Sequence, residues 1–135
     1  MSRFQPDGWH TVTPRIVARD PENLVRFIKS VFYAKGEYRV GLPAEIRVGD
    51  SIVMVSGDGE RELVPAFLYV YSDDTDATYR RAVAAGATTL EEPMDMPYGD
   101  RRAMVKDSWG NTWQIATYKE DLSAEEIRTR MGRTR

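Results

Sequence analysis

The chain has 135 residues, 19 Lys+Arg against 21 Asp+Glu, a formal net charge of -2 and no cysteine. That length supports one domain around a single hydrophobic core. The charge balance excludes a global basic field for nucleic acid or an anionic membrane, and the missing cysteines exclude disulfides, thiolate zinc sites and a cysteine nucleophile.

The opening stretch MSRFQPDGWHTV has no apolar run of the secretory kind, and no later segment approaches the roughly 20 apolar residues of a membrane span. A soluble, cytoplasmic protein is expected. TVTPRIVAR then alternates apolar with polar or small residues, as a strand does, and ends in DPEN. Asp20 suits an N-cap, Pro21 the first helical position and Glu22 the positive helix end. Leu24, Phe27, Ile28 and Val31 follow at helical spacing, so the helix should bury one stripe and end near Gly36. Three strands should follow: EYRV, AEIRV and SIVMVS.

The pattern then recurs. AFLYVYSDD reads as an aromatic strand, Asp74 as a second cap, and TDATYRRAVAAGA as a helix stopped at Gly86. The two caps, 20 and 74, lie 54 positions apart, and the same offset carries Thr13 onto Phe67. TTLEE, RRAMVK and NTWQIAT complete the second copy. Two β-α-β-β-β modules, about 10–56 and 64–118, are too few for a solenoid and better suited to one paired α+β domain. KEDLSAEEIRTRM adds a C-terminal helix over about 122–131, opened by a capping box of Ser123 and Glu126. The basic end IRTRMGRTR is read as a solvated tail.

Helices can cover only one face of each sheet, so strand parity predicts which side chains line the other face. Ile16, Ala18, Leu68, Val70, Val53, Val55, Trp113 and Ile115 go to the helix side. Thr13, Arg15 and Val17 take the opposite face, with Phe67, Tyr69 and Tyr71, and with Thr112 and Gln114 on the closing strand. A two-residue hairpin turn at Gly49-Asp50 pairs Val48 with Ser51, Arg47 with Ile52 and Glu45 with Met54, placing Glu45, Arg47, Ile52 and Met54 on that same face. The DSWGN loop leaves open whether Arg101 or Arg102 reaches it. Such an apolar surface with sparse polar groups has the chemistry of a small-molecule pocket. The loop EEPMDMPYGDRR, with Tyr98, and Trp109 in DSWGN offer stacking surfaces for a planar ligand. GDGE and GDRR match no phosphate-cradling pattern and are read as turns. With His10 as the one histidine, no serine triad can be built.

TPRIVARDPENLVRFIKSVF, AEIRVGDSIVMVS, FLYVYSDDTDATYRRAVAAGA and PYGDRRAMVKDSWGNTWQIAT together resemble the vicinal oxygen chelate superfamily, the glyoxalase and bleomycin-resistance fold, and within it the PhnB-like branch. The resemblance covers about residues 10–118 and implies two β-α-β-β-β modules whose antiparallel sheets curl into a cup, usually in a homodimer. Its metal-dependent members carry ligands, commonly two histidines and two glutamates, at positions that fall here on Thr13, Met54, Phe67 and Gln114. A hydroxyl, a thioether, a phenyl ring and one amide make no site for a hard divalent ion or zinc. The expectation is therefore no metal and no cofactor.

The function expected is binding or sequestration of a small apolar or planar molecule, neutral or anionic, as in the drug-binding members of that superfamily. Phe67, Tyr69 and Trp109 would supply apolar area, with Thr13, Ile52, Met54 and Tyr98 lining the site. Arg15, Arg47, Arg101 and Gln114 would orient polar groups. The alternative is a lyase, isomerase or dioxygenase-like enzyme in the same cup, with Glu45 as a general base raised toward neutrality by burial beside arginines. A dimer with a filled interior is the third reading.

Overall fold

A computed structural model describes residues 4–57, 59 and 61–133. The chain divides into two compact units, Met1–Ala66 and Phe67–Arg135. The architecture is α+β, and each unit builds one sheet with one crossover helix.

In the first unit β1 (Arg15–Ala18) leads into α1 (Pro21–Phe32), followed by β2 (Ala44–Val48) and β3 (Ser51–Gly57). The sheet order is β1-β3-β2, with β1 parallel to β3 and β2 antiparallel to it. The sheet is mixed rather than purely antiparallel, because a helical crossover returns the chain in the direction it left. Asp20 caps α1 by accepting from the Asn23 amide at 3.4 Å, and Pro21 follows it at the first turn. Leu24, Val25, Phe27, Ile28 and Val31 are buried on the helix, with Ile16, Ala44, Ile46, Val53 and Val55 from the strands.

The hairpin register is the expected one: Val48 with Ser51, Arg47 with Ile52 and Glu45 with Met54. Gly49 has φ +59, the conformation for which a two-residue turn selects glycine. Three expectations fail here. The helix ends at Phe32, with Tyr33 in the left-handed conformation at φ 52, instead of running to Gly36. Gly36 serves a different need. A Cβ there would lie 2.5 Å from the Glu45 carbonyl oxygen, so its missing side chain lets two backbones approach. EYRV forms no strand; Lys35 alone bridges to Arg47 through paired backbone hydrogen bonds of 2.9 and 2.7 Å. Val17, expected on the uncovered face, is also buried, and its backbone pairs in both directions with Val64. That bridge ties residue 64 to the first unit, so the second begins at Phe67.

The second unit carries the full module: β4 (Phe67–Tyr71), α2 (Thr75–Ala84), β5 (Thr88–Asp95), β6 (Asp100–Lys106) and β7 (Thr112–Tyr118). Its order is β4-β7-β6-β5, with β4 parallel to β7. Asp74 caps α2 through the Ala77 amide at 3.1 Å, repeating Asp20 in the first copy. Ala103, Val105, Trp113 and Ile115 are buried on the alternate positions of β6 and β7. The repeat reaches the register: Met54 pairs with Arg15 across the parallel ladder of one unit, and Gln114 with Tyr69 in the other. α3 (Ala124–Arg133) runs slightly beyond its expected end and starts with the capping box, Ser123 accepting from the Glu126 amide at 3.1 Å. Among the described residues no helix is long and apolar enough to cross a membrane.

Candidate functional site

On the first sheet one row runs Arg15, Met54, Glu45 and the next pairs Arg47 with Ile52. Register places all five on one face, opposite the helix. Arg15 donates to the Ser56 hydroxyl at 3.3 Å, and Arg47 to the Gly8 carbonyl at 3.3 Å. Ile52 is buried, Thr13 is half-buried just before β1, and His10 is exposed. Glu45, expected to be buried beside arginines, stands in the open instead. Its side chain is 47% exposed and paired with Arg39 at 3.4 Å, and like most exposed ion pairs this one contributes little.

On the second sheet Phe67, Tyr69 and Tyr71 alternate with the helix side and share a face with Thr112, Gln114, Met104 and Arg102. The Tyr69 and Tyr71 rings meet edge-on, centroids 5.4 Å apart at 61°, a favourable aromatic arrangement. A continuous polar chain crosses this face. Arg102 donates twice to the Glu91 carboxylate, at 2.9 and 3.1 Å, and once to the Tyr98 hydroxyl at 2.9 Å. Tyr98 and Tyr69 share a hydrogen bond of 3.1 Å, and Tyr69 and Tyr71 both donate to Asp100, at 2.6 and 3.0 Å. Asp100 is buried.

Burial, then the hydrogen bond to Asp100, then the one to Tyr98 push the Tyr69 hydroxyl far above its ordinary range. Burial and the bond to Asp100 raise Tyr71 as well. Both remain neutral donors at physiological pH. The Nε of Arg102 is buried without a partner among the described residues.

The choice between the paired arginines is resolved, and the expectation for Arg101 is corrected. Arg101 turns to the helix side, holding Asp76 of α2 at 2.6 and 3.0 Å and Asp95 at 3.2 Å. Asp76 is thereby lowered from its usual range, the hydrogen bonds from Arg101 being the largest cause. Arg102 takes the open face because the β6–β7 loop spans residues 107–111, which aligns position 102 with Ala116 and 104 with Gln114. Buried Asp107 organises that loop, accepting from the Trp109 and Asn111 amides and from the Asn111 and Trp113 side chains at 2.8–2.9 Å. Trp109 is half-buried in this loop, its backbone held by the same carboxylate.

Asp100, Glu91 and Arg39 were missed in the sequence. Asp100 was readable in principle: it has the parity of Arg102 and opens the strand after Gly99. The pairing of Glu91 with Arg102 depends on the irregular β5–β6 register and was not readable. Of GDGE, Asp58 and Glu60 lie outside the described residues.

A model of the Glyoxalase/Bleomycin resistance protein/Dioxygenase superfamily matches residues 15–115. The chain belongs to this superfamily. An uncharacterized protein of Mycobacterium bovis, Mb0911c, is 27% identical over 139 aligned residues, covering 90% of this chain and 91% of the relative. TioX from Micromonospora sp. ML1 matches in structure with a TM-score of 0.69 at 25% identity, covering 81% of this chain and 98% of that one. A family enzyme from Burkholderia phytofirmans PsJN shares the fold with a TM-score of 0.67 at 20% identity over 78% and 96% of the two chains.

The divalent metal of many superfamily members does not fit these residues. At the four positions where the sequence resemblance puts metal ligands, the first unit supplies Thr13 and Met54 and the second Phe67 and Gln114. Among the described residues no three His, Cys, Asp or Glu side chains group so as to hold an ion. Neither nitrogen, thiolate nor carboxylate donors are present at these positions.

Proposed function

We propose that the protein binds and sequesters a small organic molecule without a metal, as a cytoplasmic homodimer of the PhnB-like kind. The observation that carries this reading is the donor chemistry at Met54 and Gln114. These two residues hold repeat-equivalent places in the ladders, beside Arg15 and Tyr69. A thioether and an amide there favour contact with an organic ligand over coordination of a cation.

The exposed aromatics Phe67 and Tyr71 supply apolar area, and Gln114 supplies a donor and an acceptor. Sequestration needs only affinity, so the activity is a lowering of free ligand with no bond made or broken. The test is thermal shift followed by calorimetry against planar and apolar metabolites, neutral and anionic, with elemental analysis of the purified protein. Ligand-dependent stabilisation without stoichiometric metal is the expected result. Silence across the panel, or one divalent ion per chain, overturns the reading.

A further inference from the structure

Beside the end of β3 in the first unit lies a cleft of about 420 Å³, within the range of small-molecule sites. Arg15, Arg39 and Arg61 line it together with Tyr38, Leu42 and Pro43. Among the described residues no acidic side chain lines it. Three arginines thus line one cleft in a chain of net charge -2.

The partners of these arginines leave their charge available. Arg15 is steadied by a neutral hydroxyl, Ser56, at 3.3 Å. Arg39 is anchored by the Pro43 carbonyl at 2.8 Å, which fixes the guanidinium without neutralising it. Its contact with Glu45, at 3.4 Å between side chains nearly half exposed, is a weak surface pair. Arg61 has no hydrogen-bond or ion-pair partner among the described residues. Cations that line one cleft repel one another, and an oxoanion taking hydrogen bonds from two of them offsets that repulsion. Arginine's planar fork matches a carboxylate or phosphonate in particular.

We propose that this cleft takes the anionic head of a small organic carboxylate or phosphonate, with the part of the ligand next to that head against Tyr38, Leu42 and Pro43. The proposal rests on the sequestration reading and adds the ligand's charge and the residues that recognise it. Arg39 and Arg61 thereby join Arg15 as specificity determinants.

Calorimetry on the full chain with aryl and alkyl carboxylates and phosphonates, benzamide as the neutral counterpart of benzoate, and inorganic phosphate tests it. At least one organic anion should bind about tenfold or more tightly than its neutral counterpart, and R15Q and R39Q should each weaken it by about tenfold, the loss of a charge-assisted hydrogen bond. R61Q should also weaken it, R128Q on α3 should not, and thermal melts of the cleft variants should stay near wild type because these side chains are exposed. Equal affinity for neutral and anionic compounds, or anion binding indifferent to the cleft variants, overturns the proposal and leaves sequestration standing. Phosphate binding as tightly as the phosphonates reduces the cleft to a bare-ion site and also overturns it. If neither neutral nor charged compounds bind, both readings fall.

Discussion

The two modules share a frame and differ in what they do with their polar groups. Each has an aspartate-capped helix, a parallel ladder between its first and last strands, and Met54 or Gln114 at the matching register position. In the second unit the open-face polar groups are largely consumed by one another, from Glu91 through Arg102, Tyr98 and Tyr69 to Asp100 and Tyr71. In the first, Arg15 and Arg39 hold mainly neutral or exposed partners. A repeat conserves the backbone problem and leaves the surface chemistry free to diverge. Unspent charge is therefore expected in the first module, and in the second a face whose aromatic and polar groups are tied to one another.

The sharpest contrast lies in the turns, so the largest effect is expected there. Asp107→Ala removes the acceptor of four hydrogen bonds in a buried loop and should cost about 3 kcal/mol or more by denaturant unfolding. The corresponding turn of the first module depends on one glycine at φ +59, and Gly49→Ala should cost about 1 kcal/mol. Between these falls Gly36→Ala, where the new Cβ meets the Glu45 carbonyl, at about 1–3 kcal/mol.

The tyrosine pair gives a pH test of the second module. Because the folded state raises both hydroxyls, their contribution to stability is full below their ordinary ionisation near pH 10 and is lost as pH rises beyond it. The melting temperature of wild type should fall more steeply above about pH 10 than that of Tyr69→Phe. The smallest effect belongs to Glu45→Gln, within about 0.5 kcal/mol for an exposed pair. Should that substitution abolish turnover of a panel compound, the general-base reading returns.

Both caps, the crossover helices and the hairpin at Gly49-Asp50 were legible because each depends on local chemistry: Asp before Pro-Glu, glycine at a positive φ, parity along a strand. EYRV misled because its alternation satisfies strand parity, yet no partner strand reaches it beyond the Lys35 bridge. Arg101 and Arg102 could not be separated without the loop length, since one residue of slip exchanges the faces. The exposure of Glu45 was hidden for a related reason: register gives the face on which a side chain stands and says nothing of how deeply it is covered.

The single bridge at Lys35 stands where the second module has all of β5; position 35 plus the repeat offset of 54 falls on Thr89 in that strand. Among the described residues the outer edge of β2 is thus paired at one point only, and unpaired edges recruit strands from other chains. Glu45, Arg47 and Arg39 put charge along that border, with Pro43 just before it, devices that discourage such accretion. Their worth is colloidal, a barrier to aggregation that a folding free energy does not register.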